Sequence, residues 1–258
     1  MRYHGGKTRL GKCIAETIQK ILHEAGVEID GYIEPFCGMC GVLVHVVQRC
    51  NLASYEASDN NSSVIEMWKH LRKGWRPDLS SFDEKQFQNM KGDGQSSAPK
   101  GFFGHAVTFG ALYFQSYRPE LVKLLDYSSR DVVKRSLILQ DVVFRSCDYK
   151  ELLREKVTNK LIYCDPPYEK RSRYYDEFNK QLVFDSDALW SVCEQLSEKN
   201  IIVISEQKQF FDDRSDSYTG SIRVLELPVK QNRFGATKRA SGEYLGVMTR
   251  LPISLHFI

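Results

Sequence analysis

The stretch Leu161-Ile162-Tyr163-Cys164-Asp165-Pro166-Pro167-Tyr168 decides how the rest of the chain is read. Its first half is an unbroken apolar run, the pattern of a strand covered on both faces. An acid and two prolines then end it, because proline offers no N–H to a ladder. A strand of that kind needs parallel neighbours and helices above and below, and working outward finds both. Runs rich in β-branched or aromatic residues lie at 31–34, 53–57, 142–145, 201–204, 222–227 and 244–248. Helical periodicity fills the spaces between them. It is clearest over 6–23, where Leu10, Ile14, Ile18, Ile21 and Leu22 recur every three or four residues, and it returns at 41–50, 64–72 and 186–199. Strands alternating with helices predict an α/β fold, a Rossmann-like, doubly wound and mostly parallel sheet.

Ligands of such sheets gather beyond the carboxyl ends of the strands, which is where Asp165-Pro166-Pro167-Tyr168 falls. Two locked prolines make a stiff turn that can set the Pro166 carbonyl beside the Asp165 carboxylate. Paired acceptors suit the two hydrogens of an exocyclic amino group, and the Tyr168 ring suits the planar base carrying it. Asp165, Pro166, Pro167 and Tyr168 are therefore the candidate catalytic residues. The plainer alternative is a surface turn, since Asp-Pro is common after strands.

A second signal, Glu34-Pro35-Phe36-Cys37-Gly38-Met39-Cys40-Gly41, closes the first strand and opens a helix. Small residues there let a ligand come close to the backbone. Asp59 follows Gly38 by 21 residues, at the end of the next strand, where an acid can take both hydroxyls of a ribose. NAD would need a fuller glycine pattern than Gly38 and Gly41 supply, whereas S-adenosyl-L-methionine has no pyrophosphate to cradle, so the spacing favours the latter. Cys37 and Cys40 have no second pair to complete a metal site and read as small turn residues. A third signal is Tyr3-His4-Gly5-Gly6-Lys7-Thr8. The opening glycine of a phosphate-binding loop would fall on Met1, which excludes that reading. What remains is a glycine turn presenting Tyr3 for stacking and Lys7 for a carboxylate, or an ordinary turn.

The segment 75–133 breaks the strand–helix alternation and carries GDGQSSAPKG at 92–101, so it reads as an insertion between the two parts of the main domain, 1–74 and 134–258. Its aromatics, Phe82, Phe87, Phe102, Phe103, Phe109, Tyr113, Phe114 and Tyr117, are expected to form mostly a small core of their own. Net charge is only +3, yet Lys and Arg outnumber Asp and Glu by 12 to 7 over 69–135 and by 6 to 2 over 223–250. That imbalance suits a phosphate-facing groove as well as it suits solvated helix faces. Arg118 and Lys123 in the insertion, and Lys170, Arg171 and Arg173 after the diproline turn, are the candidates for phosphate contacts.

With 258 residues, 42% hydrophobic and 27% charged, the chain can bury a sizeable core, which excludes disorder as its main state. It has no run of about 18 apolar residues and no apolar region at its start, so neither membrane span nor secretory leader is expected. The seven cysteines show no framework spacing and are expected to be reduced thiols in an intracellular, soluble protein.

Taken in order, Tyr3 to Lys7, Glu34 to Gly38, Asp59, Cys147-Asp148-Tyr149, Asp165 to Tyr168 and Ser205-Glu206 resemble the motifs of Dam-like DNA adenine N6-methyltransferases, phage and viral members included. The resemblance spans nearly the whole chain outside the insertion. It implies the S-adenosyl-L-methionine-dependent methyltransferase fold and places Tyr3, Lys7, Glu34, Phe36, Gly38, Asp59, Asp148 and Asp165 at that cofactor. It makes 75–133 a mainly helical target-recognition insert. Cys40 departs from the pattern, standing where many members have a second glycine. The resemblance also implies double-stranded DNA as partner, no metal, and the cytoplasm of a prokaryotic or virus-infected cell. A monomer is the default, with a restriction endonuclease as companion in a restriction–modification setting. Cytosine C5 chemistry is excluded, because no proline is followed by cysteine. Cytosine N4, RNA adenine and protein glutamine methylation, and a catalytically idle DNA-binding relative, stay open.

Overall fold

The computed structural model describes residues 1, 3–80, 82–154, 157–168, 174–175, 181–228, 243–253 and 255. Its centre is a seven-stranded sheet of β1 (Gly31–Glu34), β2 (Ser54–Asp59), β3 (Val142–Ser146), β4 (Lys160–Cys164), β5 (Ile201–Glu206), β6 (Ser221–Glu226) and β7 (Tyr244–Thr249). The order across the sheet is β3-β2-β1-β4-β5-β7-β6, with β1 to β5 parallel and β7 antiparallel to both of its neighbours. This is the Rossmann-like arrangement the sequence predicts, with one reversed strand, β7, inserted between β5 and the edge strand β6.

Alternate residues of the central strands enter opposite layers, as the period of a strand demands. Tyr32, Leu161, Tyr163, Ile201 and Val203 face the core built with α1 (Gly11–Glu24), α2 (Leu43–Arg49) and α3 (Ser62–Arg72). Ile33, Ile162, Cys164, Ile202 and Ile204 face a second core with α8 (Ser186–Leu196). Burial on both faces explains why β4 and β5 read as unbroken apolar runs, while the outer strands β3 and β6 alternate with exposed positions.

Two expectations are corrected. The first helix starts at Gly11, not near Gly6: Gly6 N–H donates to Tyr3 O and Gly5 sits at φ +72°, so residues 3–8 form turns. The insertion aromatics do not form a core of their own. Phe87, Phe102, Phe103, Tyr113 and Phe114 belong to the same buried cluster as Ile14 and Trp68. The cause is local: α4 (Glu84–Gly92) carries Phe87, α5 (Ala98–Ala106) carries Phe102 and Phe103, and at Gly101 a Cβ would lie 2.1 Å from Ser63 O, so α5 lies directly on α3. The expected boundary at 133 falls inside α6 (Leu125–Ile138). All seven cysteines are free thiols, and among the described residues no helix is long and apolar enough to cross a membrane.

Candidate active site

Parallel pairing brings the carboxyl ends of β1, β2, β4 and β5 to one edge of the sheet, and with them Glu34, Asp59, Asp165 and Glu206. The turn after β1 is fixed from three directions. Gly38 N–H donates to Asp59 Oδ2 at 3.0 Å, Gly38 O accepts from the buried Trp68 Nε1 at 2.9 Å, and Cys37 N–H donates to Ser58 O at 2.9 Å. Gly38 has φ +42°, and a Cβ there would stand 2.5 Å from the Tyr3 ring, so glycine is what lets Tyr3 lie on the turn. Cys40 adopts φ +53° without being glycine. The departure from the family pattern therefore costs backbone strain of about 1–2 kcal/mol and leaves the turn its shape.

The diproline turn meets the N-terminal turn through Lys7. Its Nζ lies 2.5 Å from Asp165 Oδ1 and 3.5 Å from Glu243 Oε1, donates to Gly5 O at 3.1 Å, and sits 4.6 Å from the centre of the Tyr168 ring. Tyr168 Oη donates to Glu243 Oε1, and Ser205 Oγ donates to the same oxygen at 3.0 Å. Lys7 is 7% exposed and Asp165 15%, so this is a nearly dry ion pair. Burial pushes the Asp165 carboxyl up to about 6; Lys7 opposes that rise and Glu243 adds to it. Asp59 reaches about 6 through burial, held down by the N–H groups of Asn61 and Gly38. Glu34 reaches about 8, again through burial, with the Tyr32 hydroxyl pulling back and Asp165 pushing further. Glu206 rises to about 7 for the same principal reason.

A cavity of about 200 Å³ opens along this edge. Tyr3, Lys7, Glu34, Phe36, Gly38, Asp59, Asp148, Asp165 and Pro167 all line it, which gathers every cofactor candidate of the sequence into one space. Pro166 and Tyr168 stand beside the cavity and do not line it. Phe36 packs on Tyr149 at 5.3 Å and Phe184 at 5.7 Å, forming an apolar wall, while Asp148 caps α7 (Tyr149–Leu152) by accepting from Lys150 N–H at 2.9 Å. The insertion supplies another wall: His105 and Tyr113 line the cavity, and His105 lies 4.7 Å from the Tyr3 ring. Burial lowers the His105 imidazole to about 4, so it is neutral there.

Of the DNA candidates, Arg118 and Lys123 lie apart from this cavity. Arg118 stacks its guanidinium over Phe109 at 4.9 Å, with Phe109 61% exposed, and Lys123 is exposed on a 3₁₀ turn (Pro119–Leu124). Lys170, Arg171 and Arg173 lie outside the described residues. Sequence reasoning missed Glu243 and the wall from His105, Tyr113 and Phe184. Only the placement of β7, the insertion and the approach to α8 brings those residues here, and no local motif marks them.

The donor set suits S-adenosyl-L-methionine. Asp59, Asp148 and Asp165 outnumber Lys7 on the lining, which favours a cationic ligand, and Asp59 ends β2 where a ribose diol can be met. Among the described residues no group of three His, Cys, Asp or Glu side chains is arranged to hold a metal ion.

No curated protein sequence matches this chain. Solved structures that resemble it include the methyltransferase domain of bacterial CtHen1-CN, at 13% identity over 93% of this chain and 99% of that one, TM-score 0.45. An rRNA methyltransferase from Streptomyces viridochromogenes gives 13% identity over 93% and 84%, TM-score 0.41. A precorrin 8w decarboxylase from Methanobacterium thermoautotrophicum gives 11% identity over 91% and 88%, TM-score 0.43. The sequence itself matches a family model over residues 3–120 and 113–227, a span holding the glycine turn, the insertion and the diproline turn together. The chain belongs to the D12 class of N6 adenine-specific DNA methyltransferases.

Proposed function

We propose that the chain methylates N6 of an adenine turned out of duplex DNA, and that Asp165, Pro166 and Tyr168 receive that base while the strand-end cavity receives the donor. The carrying observation is the Lys7-bridged pair of Asp165 and Glu243, with Tyr168 bonded to Glu243, set at the edge of a cavity that Asp59 and Asp165 both line. S-adenosyl-L-methionine, when bound, supplies an electrophilic methyl group on a sulfonium.

In this reading Asp165 and the Pro166 carbonyl accept the two amine hydrogens, which turns the nitrogen lone pair toward the methyl group. Positioning of this kind is worth several kcal/mol. As the N–C bond forms, the donor's sulfur–methyl bond would break with its electron pair left on sulfur as a neutral thioether, and the amine's proton would pass to the nearest base, the Asp165 carboxylate paired with Lys7. Tyr168 stacks on the purine with the ring face that Lys7 does not cover, offsetting part of the few kcal/mol that extrusion costs. Residues 1–74 and 134–258 carry the chemistry, and 75–133 reads the target. Arg118 and Lys123, with Lys170, Arg171 and Arg173, hold phosphates, so affinity for DNA falls as salt rises, by about 0.9 log units per log unit of salt for each phosphate held. The enzyme would then work inside a cell, where its DNA is.

The test is incubation with labelled S-adenosyl-L-methionine and duplex DNA, single-stranded DNA, RNA or protein in parallel, followed by identification of the labelled product. N6-methyladenine in duplex DNA is expected. Label in RNA or protein, or in N4-methylcytosine, would overturn the reading, and equal labelling of single strands would remove base extrusion from it.

A further inference from the structure

We infer that Glu243 is a positioning residue of the transfer site, holding Tyr168 and Lys7 in register with Asp165. This rests on the roles proposed above for Asp165 and Tyr168. One carboxylate oxygen, Glu243 Oε1, accepts from Tyr168 Oη and from Ser205 Oγ and lies 3.5 Å from Lys7 Nζ. The same ammonium touches Asp165 Oδ1, so a single lysine is clamped between the two acids.

The reversed strand explains how a residue so distant in sequence arrives there. Because β7 runs antiparallel to β5, with Tyr244 opposite Glu206 and Leu245 opposite Ser205, its first residues lie at the carboxyl edge of the sheet. A parallel last strand would bring its other end to the site. Each group that Glu243 touches needs an anchor. A lysine side chain has many rotamers, and the pair of acids removes much of that freedom. A tyrosine held at Cα alone swings about two torsions, and the bond at Oη fixes the ring plane against which a base would stack. Glu243 is 22% exposed and does not line the cavity, so its action on the reaction passes through Tyr168 and Lys7.

The experiment compares the full chain with Glu243→Ala and Glu243→Gln, measuring kcat and KM for methylation of unmethylated duplex DNA, the Kd for S-adenosyl-L-methionine by calorimetry, and the melting temperature. Glu243→Ala is expected to lower kcat by about 10–100-fold, the cost of misplacing reacting groups by about an ångström. Cofactor Kd should stay within about threefold, because the loss is confined to the transfer step. Glu243→Gln keeps an acceptor oxygen for Tyr168 and Ser205 and should recover most of the rate. A kcat within threefold of wild type for Glu243→Ala, parallel loss of rate, cofactor affinity and melting temperature, or a Gln variant as slow as Ala would each overturn the inference. An active wild type beside an unaffected Glu243→Ala removes this inference alone. A wild type that leaves DNA unlabelled removes the site reading with it.

Discussion

Asp165→Ala is expected to lower methyl transfer by about 10²–10³-fold, the usual cost of deleting one preorganised polar group at a reacting centre. The fold should survive. Asp165 sits just past β4 and its removal leaves Lys7 a partner in Glu243. Its folded-state pKa lies above the unfolded value, so ionised Asp165 is a cost the fold carries as pH rises past about 6. Removing it should therefore leave the melting temperature at pH 8 at or above that of the wild type. A variant with activity within a few-fold of wild type would refute the role of Asp165. Loss of activity accompanied by a fall in melting temperature would show that the residue serves the fold and not the reaction.

Lys7→Met should have the next largest effect, and its signature is a shift with pH. Asp165 reaches only about 6 because Lys7 opposes the effect of burial. An opposite charge in direct contact commonly lowers a carboxyl by about 1–3 units, so without Lys7 the Asp165 value should rise to about 7–9. The working form is the carboxylate. The acid limb of the rate profile should therefore move up by the same amount, and at pH 7 the rate should fall by about 2–100-fold, more the further the limb moves. Profiles of kcat over the range from acid to alkaline pH check this directly. Lys7→Arg keeps the charge with a different geometry and should leave the limb near its original place. An unmoved limb in Lys7→Met would mean that Asp165 is not the group titrating in the profile.

The fold was legible because burial writes itself into residue order. The run 31–34 matches β1 residue for residue, with Glu34 buried at its end, and 161–164 falls one residue short of β4, because the strand's first residue is the polar Lys160 and only the rest of it is apolar. Strand β2 was read less well. It begins with an exposed serine and ends on Ser58 and Asp59, whose polarity suggests a loop although both are buried. The start of α1 was misread because the apolar period reaches back toward Gly6, while the Lys7 side chain is held at Asp165 and the backbone around Gly5 turns to allow it.

Which residues share the strand-end cavity was equally legible. Tyr3, Gly38, Asp59 and Asp165 sit in short local patterns whose chemistry needs those residue types, and all of them line one cavity. The remaining walls come from contacts between segments far apart in sequence. Glu243 reaches Lys7 across 236 positions only because β7 is reversed. His105 reaches Tyr3 only because Gly101 and Gly104 strip the side chains from α5 where it packs. The insertion aromatics were assigned to a core of their own for the same reason: nothing in their sequence announces that α5 lies flush on α3.

A crystal structure with S-adenosyl-L-methionine bound would test the account most directly. The ribose hydroxyls should lie at the Asp59 carboxylate and the sulfonium beside the diproline turn, with Tyr3 over the Gly38 turn as it stands now. Electron density for the donor at any other surface of the molecule, with this cavity left to solvent, would contradict it.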